Sequence, residues 1–195
     1  MTCIVGIEHN DCVYMGCDSA ASDDAFRFAT MVDTKVFSNG NMLMGMCGTF
    51  RLGQLLKHAL DIPDHDPRTD DMKWLCTTYV DAVRTMLDDK GHIIKGEHVV
   101  EEIENGDYLM GYNGKLYLVE ANFQVLRAAD GYMATGCGCD LALGALHCMM
   151  SNGKINNPVK LVEEALKAAS HHSAACAPPH HVFKLDSEGK TTKVL

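Results

Sequence analysis

The chain carries 26 acidic against 17 basic residues over 195 positions, a formal charge of −9, with no basic run to offset it. That balance argues against a nucleic-acid binder held by phosphate contacts. No segment approaches the roughly 20 consecutive apolar residues of a membrane-spanning helix, and the start of the chain has neither the basic region nor the apolar core of a secretory signal, so a cytoplasmic location is expected. Nine cysteines, an odd count, lie scattered mostly in apolar runs with no CxxC pair. In a reducing compartment they read as small buried hydrophobes, not as a disulfide framework.

Residues 2–8 and 12–17 read as two strands joined by a turn at Asn10-Asp11. Residues 19–34 are small and polar with little periodicity, an excursion beside that hairpin. Lys35–Ser38 and Met42–Cys47 flank Asn39-Gly40, whose tolerance of positive φ marks a second hairpin. Gly48 ends the strand, and Thr49 is placed to cap a helix reaching about Leu60, with Leu52, Leu55, Leu56 and Ala59 on one face. After an acidic, proline-containing loop over 61–67, the pattern predicts a helix from Thr69 or Asp70 to Leu87. Residues 88–105 are charged and weakly patterned, a loop with at most a short strand.

Asp107–Tyr112 and Leu116–Glu120 around Asn113-Gly114 form another hairpin signal, followed by a short strand at Gln124–Ala128. Met133–Thr135 leads into Gly136-Cys137-Gly138 and a helix from about Asp140 to Met150. Pro158 suits the first turn of a helix ending near Ser173. Strands over 180–185 and 191–194 close the chain. Strands, two helices, strands, two helices, strands: this order gives an α+β class, one domain over 1–195, with sheet and helix in separate runs.

Thr2 carries the first chemical signal. If Met1 is lost, an N-terminal threonine holds a nucleophile and a base on one residue: the hydroxyl attacks and the α-amine takes its proton. Such an amine has an ordinary pKa of about 7.7–8.0, so a good fraction is neutral and basic near pH 7. Thr2-Cys3-Ile4-Val5-Gly6 followed by Gly16-Cys17-Asp18-Ser19 resembles the start of proteasome β-type subunits and of HslV peptidases. The resemblance continues in order through Thr34-Lys35-Val36, Asn39-Gly40, Gly45-Met46-Cys47-Gly48, Thr135-Gly136-Cys137-Gly138 and Ala142-Leu143-Gly144-Ala145. Each motif is weak alone; the ordered set is fairly specific for the N-terminal nucleophile (Ntn) hydrolases.

The resemblance implies a four-layer αββα sandwich, two stacked antiparallel sheets between helix layers, and a homo-oligomeric ring enclosing its sites. It implies a threonine peptidase acting on peptides or unfolded proteins, with an ATP-dependent unfoldase as partner by analogy and no metal or organic cofactor. The compact length fits a bacterial or viral source. By position, Thr2 is the nucleophile, Lys35 faces its hydroxyl, Asp18 orients that lysine, the Gly48 N–H serves the oxyanion, and Met46 shapes the substrate pocket. Cys137 stands where the family has a serine supporting the amine, and His171 or His172 where it has a second aspartate. A thiol is a weaker hydrogen-bond partner than a hydroxyl, and a neutral histidine lacks a carboxylate's charge.

Taken singly, Asp18-Ser19 also reads as a turn, Lys35 as a solvated strand-edge charge and Gly48 as a glycine leading into a helix. His171-His172, Cys176 and His180-His181 are zinc-ligand types, but their spacing fits no finger pattern and Pro178-Pro179 breaks the group. Helix-end and loop histidines are the other reading. Cys3 as nucleophile lacks an α-amine. A non-catalytic scaffold with a degenerate site and a small-molecule amidohydrolase stand as the alternatives to a peptidase.

Overall fold

The computed structural model describes residues 1–22, 28–96, 99–104, 106–151 and 156–195. In chain order the first elements are β1 (Ile4–His9), β2 (Cys12–Cys17), β3 (Ala20–Ser22), β4 (Phe28–Thr30), β5 (Val36–Asn39), β6 (Met42–Met46) and α1 (Phe50–His58). Next come α2 (Asp71–Trp74), a π-helical turn over Leu75–Tyr79, α3 (Val80–Asp89), β7 (Ile93–Gly96), β8 (Val99–Ile103), β9 (Tyr108–Tyr112) and β10 (Lys115–Val119). The chain ends with β11 (Val125–Leu126), β12 (Tyr132–Thr135), α4 (Cys139–Ser151), α5 (Pro158–His172), β13 (His181–Leu185) and β14 (Thr191–Lys193).

Two five-stranded antiparallel sheets result, ordered β12-β1-β2-β13-β14 and β11-β10-β9-β6-β5. Their stacking follows from the two-residue period of a strand. Cys3, Val5 and Ile7 point to α4 and α5, where they meet Leu146, Val162, Leu166 and Ala169. Ile4 points the other way and packs with Val13, Met15, Val36, Leu43 and Leu109 between the sheets. The far face of the second sheet, with Met44, Met46, Tyr108 and Met110, covers Leu52, Leu56, Tyr79 and Val83 of the other helix layer. The architecture is the expected αββα sandwich.

Three inner-face glycines let the sheets interdigitate. A Cβ at Gly6 would lie 2.7 Å from Leu116, one at Gly45 2.5 Å from Ile4, and one at Gly111 2.9 Å from Val13. Each is a socket filled by the opposite sheet, as close packing demands.

Local chemistry sets the element ends. Asn10 and Asp11 take φ of 50° and 54°, a left-handed pair that these residue types tolerate, and close the first hairpin. Thr49 Oγ1 accepts the Leu52 N–H at 3.3 Å, Asp70 Oδ1 accepts the Lys73 N–H at 3.1 Å, and Asn157 Oδ1 accepts the Val159 N–H at 3.0 Å ahead of α5. Such caps contribute about 1 kcal/mol each.

Some expectations shift. The β5–β6 turn is Gly40-Asn41, one residue later than Asn39-Gly40, because Asn39 pairs with Met42. The Asn39 side chain instead donates to the Leu56 and Leu60 carbonyls at 2.9 Å each, closing the end of α1. The 88–105 stretch holds a two-stranded ribbon, β7–β8, and the 19–34 excursion holds the β3–β4 pair. Residues 23–27 of that excursion, and 97–98 and 105 of the charged stretch, lie outside the described residues. Among the described residues, no helix is long and apolar enough to cross a membrane.

Candidate active site

Asp18 follows β2 and extends the β1–β2 ladder by one rung, donating its N–H to the Cys3 carbonyl at 3.3 Å. Its carboxylate returns the contact. Oδ1 accepts the Cys3 N–H at 2.9 Å and the Lys35 ammonium at 2.7 Å, while Oδ2 accepts the N–H groups of Ala20 at 2.9 Å and Ala177 at 3.3 Å. Asp18 is 0% and Lys35 1% exposed. A buried charge is tolerated only when paired and hydrogen-bonded, and this carboxylate meets a cation and three N–H donors.

Lys35 immediately precedes β5 of the second sheet and reaches across to the first. Its ammonium also donates to the Met1 carbonyl at 3.0 Å, and Thr2 Oγ1 donates to the same oxygen at 2.6 Å. Thr2 is itself buried, with its nitrogen in the Met1–Thr2 amide. Its carbonyl is gripped from the other side by the Gly138 N–H at 3.3 Å. A Cβ at Gly136 would stand 2.3 Å from that carbonyl oxygen, and Gly136 has φ of 96°, so only glycine fits there. The Cys137 side chain is exposed; the turn holds Thr2 through main chain instead.

Gly48 lies between β6 and α1 with φ of 96° and is exposed. The Cys47 N–H before it donates to the Asp107 carbonyl at 2.9 Å, and the Asp107 carboxylate accepts the Thr135 hydroxyl at 3.0 Å. Burial, with the Asp107 carboxylate and the Cys137 thiol nearby, pushes the Cys47 thiol up to about 11, so it is neutral at pH 7. Behind the glycine, Thr49 Oγ1 lies 3.3 Å from His92 Nε2, whose Nδ1 lies 3.4 Å from Glu104. Sequence reading missed Cys47 and Asp107 as site residues. Cys47 looked like another apolar-run cysteine, and the position of Asp107 depends on β6–β9 pairing across more than sixty residues.

A cavity of about 670 Å³ opens beside this cluster, between residues 31–34 and α1. Phe37, Met46 and Phe50 form its apolar wall, and Arg51, Lys57 and Lys90 border it. Thr2 does not line it; Thr34, next to Lys35 in sequence, and Met46, two residues before Gly48, do. Met46 thus stands in a cavity wall.

His171 and His172 lie exposed at the end of α5, edge to face at 4.6 Å, and the structure does not join them to the Thr2 cluster by any hydrogen bond among the described residues. Cys176 is buried against Cys3, and its contact together with burial raises the Cys3 thiol far above its ordinary range. His180 Nε2 lies 2.8 Å from Ser170 Oγ, and burial lowers its pKa. The same loop is tied to the site by the Ser19 hydroxyl, which donates to the Pro179 carbonyl at 2.6 Å. Among the described residues, no three His, Cys, Asp or Glu side chains are grouped to hold a metal.

No protein-family model matches the sequence, and no curated protein matches it. Solved structures do. Thiobacillus denitrificans BPH superposes with a TM-score of 0.78 at 14% identity, over 95% of this chain and 98% of that one. The same protein in complex with epoxomicin gives 0.77 at the same identity and coverage. Eukaryotic HslV from Trypanosoma brucei gives 0.65 at 14% identity, over 95% and 99%. At these identities the likeness is one of fold.

Proposed function

We propose, on the proteasome-type Ntn hydrolase fold that this chain has, that it is a threonine peptidase with Thr2 as nucleophile. The observation that carries this reading is the buried Thr2–Lys35–Asp18 cluster, in which the Thr2 hydroxyl and the Lys35 ammonium both donate to the Met1 carbonyl and Asp18 holds the ammonium. Cutting the Met1–Thr2 bond frees the amine. The amine then takes the Thr2 hydroxyl proton as Oγ bonds to the substrate carbonyl carbon. Lys35, one donor committed to Asp18, offers another to the attacking oxygen, and its charge favours deprotonation of the hydroxyl. The Gly48 N–H donates to the developing oxyanion, which the bare Cα allows to approach. The amide nitrogen leaves with the proton, and water then hydrolyses the Thr2 ester.

One domain over 1–195 carries the whole site in this reading, and copies of it form a homo-oligomeric ring admitting peptides or unfolded chains. An ATP-dependent unfoldase is the partner implied by analogy, and the cytoplasm the location. A second reading, a scaffold with a degenerate site, is favoured by the exposed Cys137 and His171, which leave the amine without the hydroxyl and carboxylate expected of the family. The small-molecule amidohydrolase would use the same chemistry.

Intact-mass spectrometry of the untagged chain, with and without epoxomicin, separates these readings. A mass lacking Met1 and an adduct localised to Thr2 are expected. Retained Met1 and no adduct would overturn the peptidase reading in favour of the scaffold. With an adduct formed, Thr2→Ala abolishing peptide cleavage while light scattering still finds the oligomer completes the assignment.

A further inference from the structure

The cavity beside the Thr2 cluster has a charge that opposes that of the chain. The protein is at −9, yet Arg51, Lys57, His58 and Lys90 border this space against one carboxylate, Asp33. Arg51, Lys57 and Lys90 are exposed and, among the described residues, none of the three makes an ion pair. Helix ends explain part of the pattern, since Lys57 and His58 sit in the last turn of α1, where cations are favoured. They do not explain Arg51, a cation in the first turn of the same helix, where the dipole disfavours it. Lys90 is the C-cap of α3, so it too sits where a cation is favoured, but it reaches this space from a different helix than the other three.

Resting on the peptidase reading of the same site, we infer that this cavity selects acidic peptide segments. An apolar side chain sits against Phe37, Met46 and Phe50, and carboxylates further along the substrate meet Arg51, Lys57 and Lys90. The dimensions agree. The nine residues of α1 span roughly 13 Å at 1.5 Å each, and an extended peptide covers that in about four residues at ~3.3 Å each. About four extended residues therefore run the length of the helix that carries Arg51 and Lys57. The bulk charge of the protein repels an acidic chain, so its capture depends on these three side chains and weakens with salt.

The test uses the full-length Thr2→Ala chain and three fluorescein-labelled ten-residue peptides. They differ only in carrying three Glu, three Gln or three Lys within four residues of a central leucine. By fluorescence anisotropy the Glu peptide binds about tenfold more tightly than the Gln peptide, or ~1.4 kcal/mol, and the Lys peptide most weakly. The preference collapses in 0.5 M salt and in the Arg51→Gln/Lys57→Gln/Lys90→Gln chain, whose changes are all at exposed positions. Equal or weaker binding of the Glu peptide overturns the inference, as does an unchanged ratio in the triple variant. Cleavage by the unsubstituted chain is followed in parallel by mass spectrometry. If no peptide is cut while the Glu preference holds, the peptidase reading falls and the acidic selectivity of the cavity stands.

Discussion

The β1–β2 hairpin carries one charge pair at each end, and both pairs cross from the first sheet to the second. At the open end Asp18 meets Lys35 at 2.7 Å with both side chains buried. At the turn end Glu8 meets Arg127 at 2.9 Å, the side chains 19% and 41% exposed, and Glu8 Oε1 also takes the Leu116 N–H at 2.8 Å. The geometry is alike and the energetics are not. An exposed pair gives up little hydration and contributes about 0–1 kcal/mol. A buried pair gives up most of it, and hydrophobic residues of the same volume would serve stability as well or better. Glu8–Arg127 is accounted for as a staple between sheets; Asp18–Lys35 calls for a chemical reason.

Four measurements sharpen or break that contrast. The largest effect is expected from Lys35→Met, which strands the Asp18 carboxylate. Urea unfolding should show a loss of about 3–5 kcal/mol, and peptide cleavage should vanish. A loss below about 1 kcal/mol would mean that water reaches the carboxylate, and the contrast between the two ends would collapse. Gly136→Ala comes next. The 2.3 Å approach to the Thr2 carbonyl and the positive φ should together cost about 1–3 kcal/mol, again read from urea unfolding. A neutral result would detach this turn from Thr2.

The third is pH dependence at the site end. Burial lowers the His180 pKa below its unfolded value of about 6.5. The unfolded chain therefore binds the extra proton first, and stability falls as pH drops below about 6.5 and on through the lowered pKa. The Asp18 and Glu163 carboxylates oppose the shift, and Lys167 reinforces it. His180→Gln should flatten that part of the stability profile in thermal melts, and an unaltered slope would refute the assignment.

The smallest effect belongs to the turn end. Arg127→Ala should cost no more than about 1 kcal/mol at pH 7. Burial alone would raise the Glu8 pKa, but the Arg127 contact and the Leu116 N–H outweigh it and the net shift is downward. The contribution is thus present above about pH 4.3 and disappears as pH falls through the lowered value. A cost as large as that of Lys35→Met would make the two ends equivalent.

What the sequence disclosed and what it hid divide along range. Asn10-Asp11, Asn113-Gly114, Thr49 and Pro158 act on their own neighbours, and each lies at the turn or helix start its chemistry implies. Asn39 could not be read this way, because the carbonyls it serves belong to α1 and to the residue just past its C-cap, seventeen and twenty-one residues on. The β7–β8 ribbon left only a weak pattern, with Ile103 buried but Ile94 largely exposed. The π-turn at Leu75–Tyr79 has no breaker residue to announce it. At the site, Thr2, Asp18 and Lys35 were legible through the ordered resemblance, and the structure brings them together. Asp107 and Ala177 were not, because each acts through a backbone group delivered by distant strand pairing or by the loop after α5.

The three glycine sockets between the sheets have a mechanical consequence. Thr2 leads a strand of one sheet and Lys35 a strand of the other, so any sliding of one sheet over the other would pull hydroxyl and ammonium apart. Leu116 in the Gly6 socket, Ile4 in the Gly45 socket and Val13 in the Gly111 socket act as dowels against that shear. The alignment of the polar cluster is therefore held by hydrocarbon. A methyl group added at Gly45, touching none of the polar atoms, would work as a wedge that changes the spacing between the Thr2 hydroxyl and the lysine.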